Sequence, residues 1–182
     1  MAKDTDVVYM NNELNTQFNF RVAGIIVDND NYLIQHTGDD PYYALIGGRV
    51  EFNDDTANSL IREIEEEVDI KVSLDDLKLI DVVENFFYLK GRNFHELLFI
   101  YRVDVSKYNL DKVSINTLDK DHSVNTWYSY EEMLNLNIQP SLIKDILKSN
   151  ELTHTINKDW KYLLDTFYLC YNMIWRRIRV WY

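Results

Sequence analysis

From Phe18 to Asp28 the chain reads FNFRVAGIIVD, and after the polar turn NDN it continues YLIQH. Two runs rich in β-branched residues around such a turn predict a hairpin. The near-continuous AGIIV predicts a strand buried on both faces. Asp28 and Asp30 imitate the start of an EF-hand loop, but the glycine and closing glutamate that such a loop needs are missing, which leaves a polar turn. DVVENFFYLK and FHELLFIYRVDV flank GRN and predict a second, longer hairpin, and VNTWYSY predicts another short strand. That strand runs into Ser129-Tyr130-Glu131-Glu132, a capping-box pattern that starts a short helix. PSLIKDILKS predicts a further helix, with Pro140 where its first turn tolerates proline. One segment has a strong helical period: at about 100° per residue, Ala57, Leu60, Ile61, Ile64 and Val68 form a single apolar stripe. Asp54, Asp55 or Thr56 can cap its start. Strands interrupted by one strongly helical segment predict a mixed α/β or α+β layer fold. There are no internal repeats.

Composition narrows the class. The 182 residues, 46% of them apolar, fit one domain with appendages. A formal charge of −11 argues against a broad surface that tracks DNA phosphates, while leaving room for a small nucleotide held through a metal. The only cysteine, Cys170, excludes an intramolecular disulfide and fits a reducing compartment. The opening MAKDTDVVYMNNELN lacks the apolar core of a signal peptide, and no run reaches the length of a membrane span, so a cytoplasmic protein is expected. The last stretch, DWKYLLDTFYLCYNMIWRRIRVWY, has its own character. It is too short and polar to cross a bilayer, and its basic, aromatic end suits either an anionic membrane surface or packing onto the domain or a second copy. The expected organisation is an extension over 1–17, a domain over 18–159 and an aromatic, basic, helical extension over 160–182.

The chemistry concentrates in LIGGRVEFNDDTANSLIREIEEEVDI, Leu45 to Ile70. Glu63, Glu66 and Glu67 fall on a flank of the apolar stripe, with Glu67 nearest Leu60, whereas Glu65 points to solvent. Like charges at these spacings cost roughly 0.2–0.5 kcal/mol per pair unless a cation intervenes. A hard cation such as Mg²⁺ takes oxygen ligands and keeps waters for substrate phosphates. A solvated acidic helix is the competing reading of the spacing alone. The preceding GGRVEF brings backbone close to the helix, which glycine permits.

These residues carry a resemblance. Gly48 to Ile70 resembles the Nudix box of MutT-type nucleotide pyrophosphohydrolases, G-x5-E-x7-R-E-U-x-E-E-x-G-U with U bulky and apolar. Gly48, Arg62-Glu63-Ile64, Glu66-Glu67 and Ile70 stand in register with it. FRVAGIIV, ALIGGRVEF, VENFF, HELLF and LTHTINKD extend the likeness over about Asn19 to Asp159. Two positions depart: Asp54 replaces the glutamate, one methylene shorter, and Asp69 replaces the glycine after the helix. Aspartate tolerates left-handed backbone less cheaply than glycine and places negative charge at the negative end of the helix dipole.

The resemblance implies an α+β Nudix fold, a mixed β-sheet between helices with a catalytic loop–helix–loop. It implies metal-dependent hydrolysis of a diphosphate linkage in a nucleoside diphosphate joined to another group, with Mg²⁺ or Mn²⁺ as cofactor. The rival is a Nudix-like domain that senses a nucleotide without turnover. By position, Glu63, Glu66 and Glu67 become metal ligands, the Gly47 carbonyl a further one, and Arg62 a group that orients the glutamates. The general base is expected outside the box, at Glu96 or Glu84; for Glu96 an ion pair with Arg21 is the plain alternative. His95 either polarises substrate or is a hydrogen-bonded structural histidine. Arg49, Phe20, Arg21 and His95 complete the expected substrate contacts, although most of the aromatics around the motif are expected in the core. A homodimer through the C-terminal extension is a further expectation.

Overall fold

The computed structural model describes residues 5–108, 110, 115–116 and 122–158. The C-terminal extension, and with it the expected helix and dimer contact, lies outside the described residues. Along the chain come β1 (Val8–Asn11), β2 (Thr16–Asp28), β3 (Asn31–Thr37), β4 (Tyr43–Ala44), β5 (Ile46–Arg49) and α1 (Thr56–Val68). These are followed by β6 (Leu77–Leu89), β7 (Arg92–Asp104), β8 (Ile115–Asn116), β9 (Ser123–Ser129), α2 (Tyr130–Asn135), α3 (Ile143–Ile146) and β10 (Thr153–Lys158). The sheet is mixed: its order is β10-β6-β7-β2-β3-β9-β8, and β10 with β6 and β2 with β7 run parallel. On its other edge β2 is shared by β1, β5 and β3 in succession. Val8–Asn11 of the expected N-terminal extension thus belongs to the sheet.

Local chemistry explains the turns. Asn29, at φ 54°, turns β2 into β3, a backbone region that asparagine reaches more easily than most residues. The long β6–β7 hairpin turns at Lys90-Gly91, φ 48° and 85°, which is the conformation of a two-residue hairpin loop. The turn is therefore shorter than GRN, and Arg92 and Asn93 already belong to β7. Ser129 caps α2 as expected, with Glu132 closing the capping box. Pro140, by contrast, does not open a helix, because α3 covers only Ile143–Ile146. A single turn cannot sustain itself in isolation; this one stays because Leu142, Ile143 and Leu147 are buried.

Strand alternation builds a core on each face of the sheet. On one, Val22, Ile26, Tyr101 and Val103 meet Leu60, Ile64 and Val68 of α1. On the other, Ala23, Ile25, Leu98 and Ile100 meet Met133 of α2 and Ile143 of α3. Residues 22 to 27 are buried throughout, as the unbroken apolar run requires. Each buried Leu, Ile or Val of α1 contributes about 1.5–3 kcal/mol, which is what pins the helix and its carboxylates to β2 and β5. Among the described residues no helix is long and apolar enough to cross a membrane.

Candidate active site

Asp55 is the residue that caps α1: its side chain accepts the Asn58 backbone N–H at 2.9 Å. Asp54 accepts the Ser59 hydroxyl at 2.8 Å, so the shorter carboxylate serves the first turns of the helix. At the other end Asp69 sits in left-handed backbone, φ 57°, and its N–H closes on the Glu65 carbonyl at 3.1 Å.

The inward face of α1 carries two carboxylates beside its apolar stripe. Glu67 is fully buried and accepts a hydrogen bond from Gln35 Nε2 of β3 at 2.9 Å. Glu63 is buried against β5, where Gly48 makes room for it: a Cβ on Gly48 would stand 2.2 Å from the Glu63 carboxyl carbon. Gly47 is required for a different reason. Its φ is 156°, and a Cβ there would meet the Val22 carbonyl oxygen at 2.2 Å. The double glycine thus lets the strand backbone pass β2 and a carboxylate pass the strand.

Arg62 ties the cluster together. Its guanidinium lies 3.0 Å from Glu63, 3.3 Å from Glu66 and 3.6 Å from Glu51. Burial works against its charge, but Glu63, Glu66 and Glu51 outweigh that and pull its pKa upward. Among the described residues no three His, Cys, Asp or Glu side chains converge as a ready-made metal cage; here the guanidinium bridges the repelling carboxylates. Glu65 points away and pairs with Lys71 at 3.5 Å. The oxygen-only set of Glu63, Glu66, Glu67 and the Gly47 carbonyl is nevertheless the donor chemistry that a hard divalent cation takes.

The remaining expectations divide. Glu96 does not join this cluster. It shares its face of β7 with Leu98 and Ile100, opposite α1, because side chains alternate along a strand. There it accepts a hydrogen bond from Asn85 Nδ2 at 3.2 Å and faces Arg21 Nε at 3.8 Å. The ion pair with Arg21 is the reading that its placement supports. Glu84 pairs with His154 at 3.0 Å. His95 is exposed, stacked on Phe86 at 4.3 Å between ring centroids and edge-on to Phe18 at 5.5 Å. Phe20 packs edge-on against Phe99 on the α1 side, and Arg49 reaches Asp6 at 3.3 Å.

Arg21 and Glu96 border a cavity of about 360 Å³ on the face away from α1, together with Ala23, Tyr42, Leu45 and Asn85. Burial and nearby Asp40 push the Tyr42 phenol above its ordinary range against the pull of Arg21, which keeps it a neutral donor. The cavity and the carboxylates border the same short segment. Leu45 lines the cavity, and three residues later Gly48 lies against Glu63, a backbone span of about 10 Å at 3.3 Å per residue. Gln35, Glu51 and Asn85 escaped the sequence reading. Gln35 alone left a signal there, as a polar residue on a buried strand; the other two were marked by nothing local.

The family model of the NUDIX domain matches residues 18–148. The chain belongs to the Nudix family. Solved structures agree on the fold. A MutT mutator protein of Bacillus halodurans is 19% identical, with a TM-score of 0.59 over 78% of this chain and 92% of its own. The dihydroneopterin triphosphate pyrophosphohydrolase of E. coli is 18% identical, with a TM-score of 0.53 over 71% and 92% of the two chains. A NUDIX hydrolase from Nitrosomonas europaea is 18% identical, with a TM-score of 0.52 over 77% and 79%. No curated protein matches the sequence. As a Nudix hydrolase the protein is an α+β enzyme whose family generally uses divalent metals and nucleoside diphosphate substrates.

Proposed function

We propose that this Nudix hydrolase cleaves a diphosphate linkage in a nucleoside diphosphate joined to another group, with Mg²⁺ or Mn²⁺ as cofactor. The observation that carries the reading is the pair of buried carboxylates, Glu63 and Glu67, one turn apart and facing a glycine strand shaped to admit one of them. An acidic helix with only a structural task would turn these groups to water, as Glu65 does, because burying charge is costly.

Glu63, Glu66, Glu67 and the Gly47 carbonyl would hold the metal. A divalent ion bound there neutralises phosphate charge and acidifies water. Arg62 holds Glu63 and Glu66 in place through its bridging guanidinium. With Glu96 on the far face, the helix carboxylates are left to take the proton of the attacking water. Glu66, whose side chain is 38% exposed, is the most open of the three to solvent. The cavity takes the nucleoside, Arg21 stands at its rim toward the phosphates, and the path along Leu45 to Gly48 carries the diphosphate to the carboxylates.

Phosphate release from a panel of nucleoside diphosphate-X compounds, with Mg²⁺, with Mn²⁺ and with a chelator, tests the reading. Metal-dependent release from at least one compound is expected. Nucleotide binding with no release under any metal condition would instead assign the protein to nucleotide sensing.

A further inference from the structure

The floor of the cavity carries a polar row that the hydrolytic chemistry does not use. Strand register places Asn157 of β10 opposite Asn85 of β6, Asn85 opposite Glu96 of β7, and Glu96 opposite Asn19 of β2. The four side chains therefore cross four strands in a line on one face. Asn157 Nδ2 donates to Asn85 Oδ1 at 2.7 Å, and Asn85 Nδ2 donates to Glu96 Oε1 at 3.2 Å. The amides of Asn157 and Asn85 thus point their donors along the row toward Glu96, which accepts. Glu96 is only 6% exposed. An ionised carboxylate offers about four acceptor sites. Asn85 fills one, and Arg21, at 3.8 Å, compensates charge without a hydrogen bond of proper length. A buried carboxylate at a cavity wall with acceptor capacity to spare can take donors from a ligand.

Resting on the nucleotide reading above, we propose that Glu96 determines base specificity, and that the cavity selects guanine by accepting two adjacent N–H groups from its edge. A carboxylate matches two parallel donors, the geometry that makes bidentate pairing with it strong. Guanine presents a ring N–H beside an amino group. Adenine and cytosine present one amino group beside an acceptor nitrogen, and uracil presents one N–H between two carbonyls, so each sets an acceptor against the carboxylate. Leu45, Ala23 and Leu98 supply the apolar surface for a flat ring, and the Tyr42 phenol is a further donor at the wall.

The test is equilibrium binding to the full chain in chelator, so that turnover plays no part. GMP, IMP, AMP and UMP are compared by calorimetry. GMP is expected to bind at least ten times more tightly than IMP, which lacks only the amino group, and more tightly still than AMP or UMP. Glu96→Gln keeps the shape but replaces one acceptor with a donor, and it should reduce the GMP-to-IMP ratio to about one. Equal affinities for GMP and IMP in the parent protein, no binding of any of the four, or an unchanged ratio in a folded Glu96→Gln variant each overturns the proposal. The parent comparison needs no variant to fold. Metal-dependent hydrolysis without guanine preference leaves the hydrolase reading standing and removes this one; guanine-selective binding without hydrolysis does the reverse.

Discussion

Both faces of the sheet bury carboxylates, but they hold them by different means. On the α1 face, Glu63 and Glu67 belong to one helix, one turn apart, and their partners are a guanidinium, a glutamine and a glycine gap. On the other, Glu96 lies in a row assembled from four strands, hydrogen-bonded by Asn85 and facing Arg21. The first arrangement concentrates negative charge and suits a cation. The second leaves a lone acceptor at a cavity wall and suits a neutral donor. Similar side chains acquire opposite tasks from what stands beside them.

Removing charge from Glu67 should tell most, on the catalytic side of this division. Glu67→Gln keeps shape and should lower metal-dependent turnover at least ~100-fold, about 2.7 kcal/mol of transition-state stabilisation. It should also remove the thermal stabilisation given by Mg²⁺, since that scales with occupancy of a site present only in the folded state. Glu65→Gln, on the outer face, should change neither. Equal effects of the two substitutions on Mg²⁺ response and hydrolysis would mean that the helix is merely acidic.

The two glycines differ in the same way, since one serves the fold and the other the site. Gly47→Ala places a Cβ on the Val22 carbonyl of the neighbouring strand, and backbone cannot yield cheaply. A loss of about 2–3 kcal/mol in unfolding free energy is expected from denaturant titration. Gly48→Ala places its Cβ on the end of the Glu63 side chain, which can swing away. Its stability should fall by less than ~1 kcal/mol, while Mg²⁺-induced stabilisation and turnover are lost because Glu63 is displaced. If Gly48→Ala keeps full activity, Glu63 is not part of the metal site.

The smallest effect concerns the end of α1. Asp69 occupies left-handed backbone at φ 57°. Asp69→Gly should raise stability by roughly 0.5–1 kcal/mol, since glycine enters that region without strain and carries no charge at the negative end of the dipole. A measured decrease would show that the aspartate side chain compensates for its backbone.

What the sequence determined by itself is what local periodicity encodes. The apolar stripe of α1, the placing of Glu63 and Glu67 beside it, the outward turn of Glu65 and the two hairpins follow from spacings of two to seven residues. The glycine pair before the helix was equally legible, although its double purpose follows only from what each glycine meets in the folded chain. Only the tertiary structure decided which face of the sheet α1 covers. Alternation put Glu96 on the same side as Leu98, but it cannot say which side meets the helix. The polar row was hidden for the same reason, because residues 19, 85, 96 and 157 meet only through the pairing of four strands. That register depends on an irregularity between Leu79 and Asp81 that shifts β6 along β7. A one-residue shift moves every side chain beyond it to the opposite face, so residues far apart in the chain become neighbours by register and not by spacing.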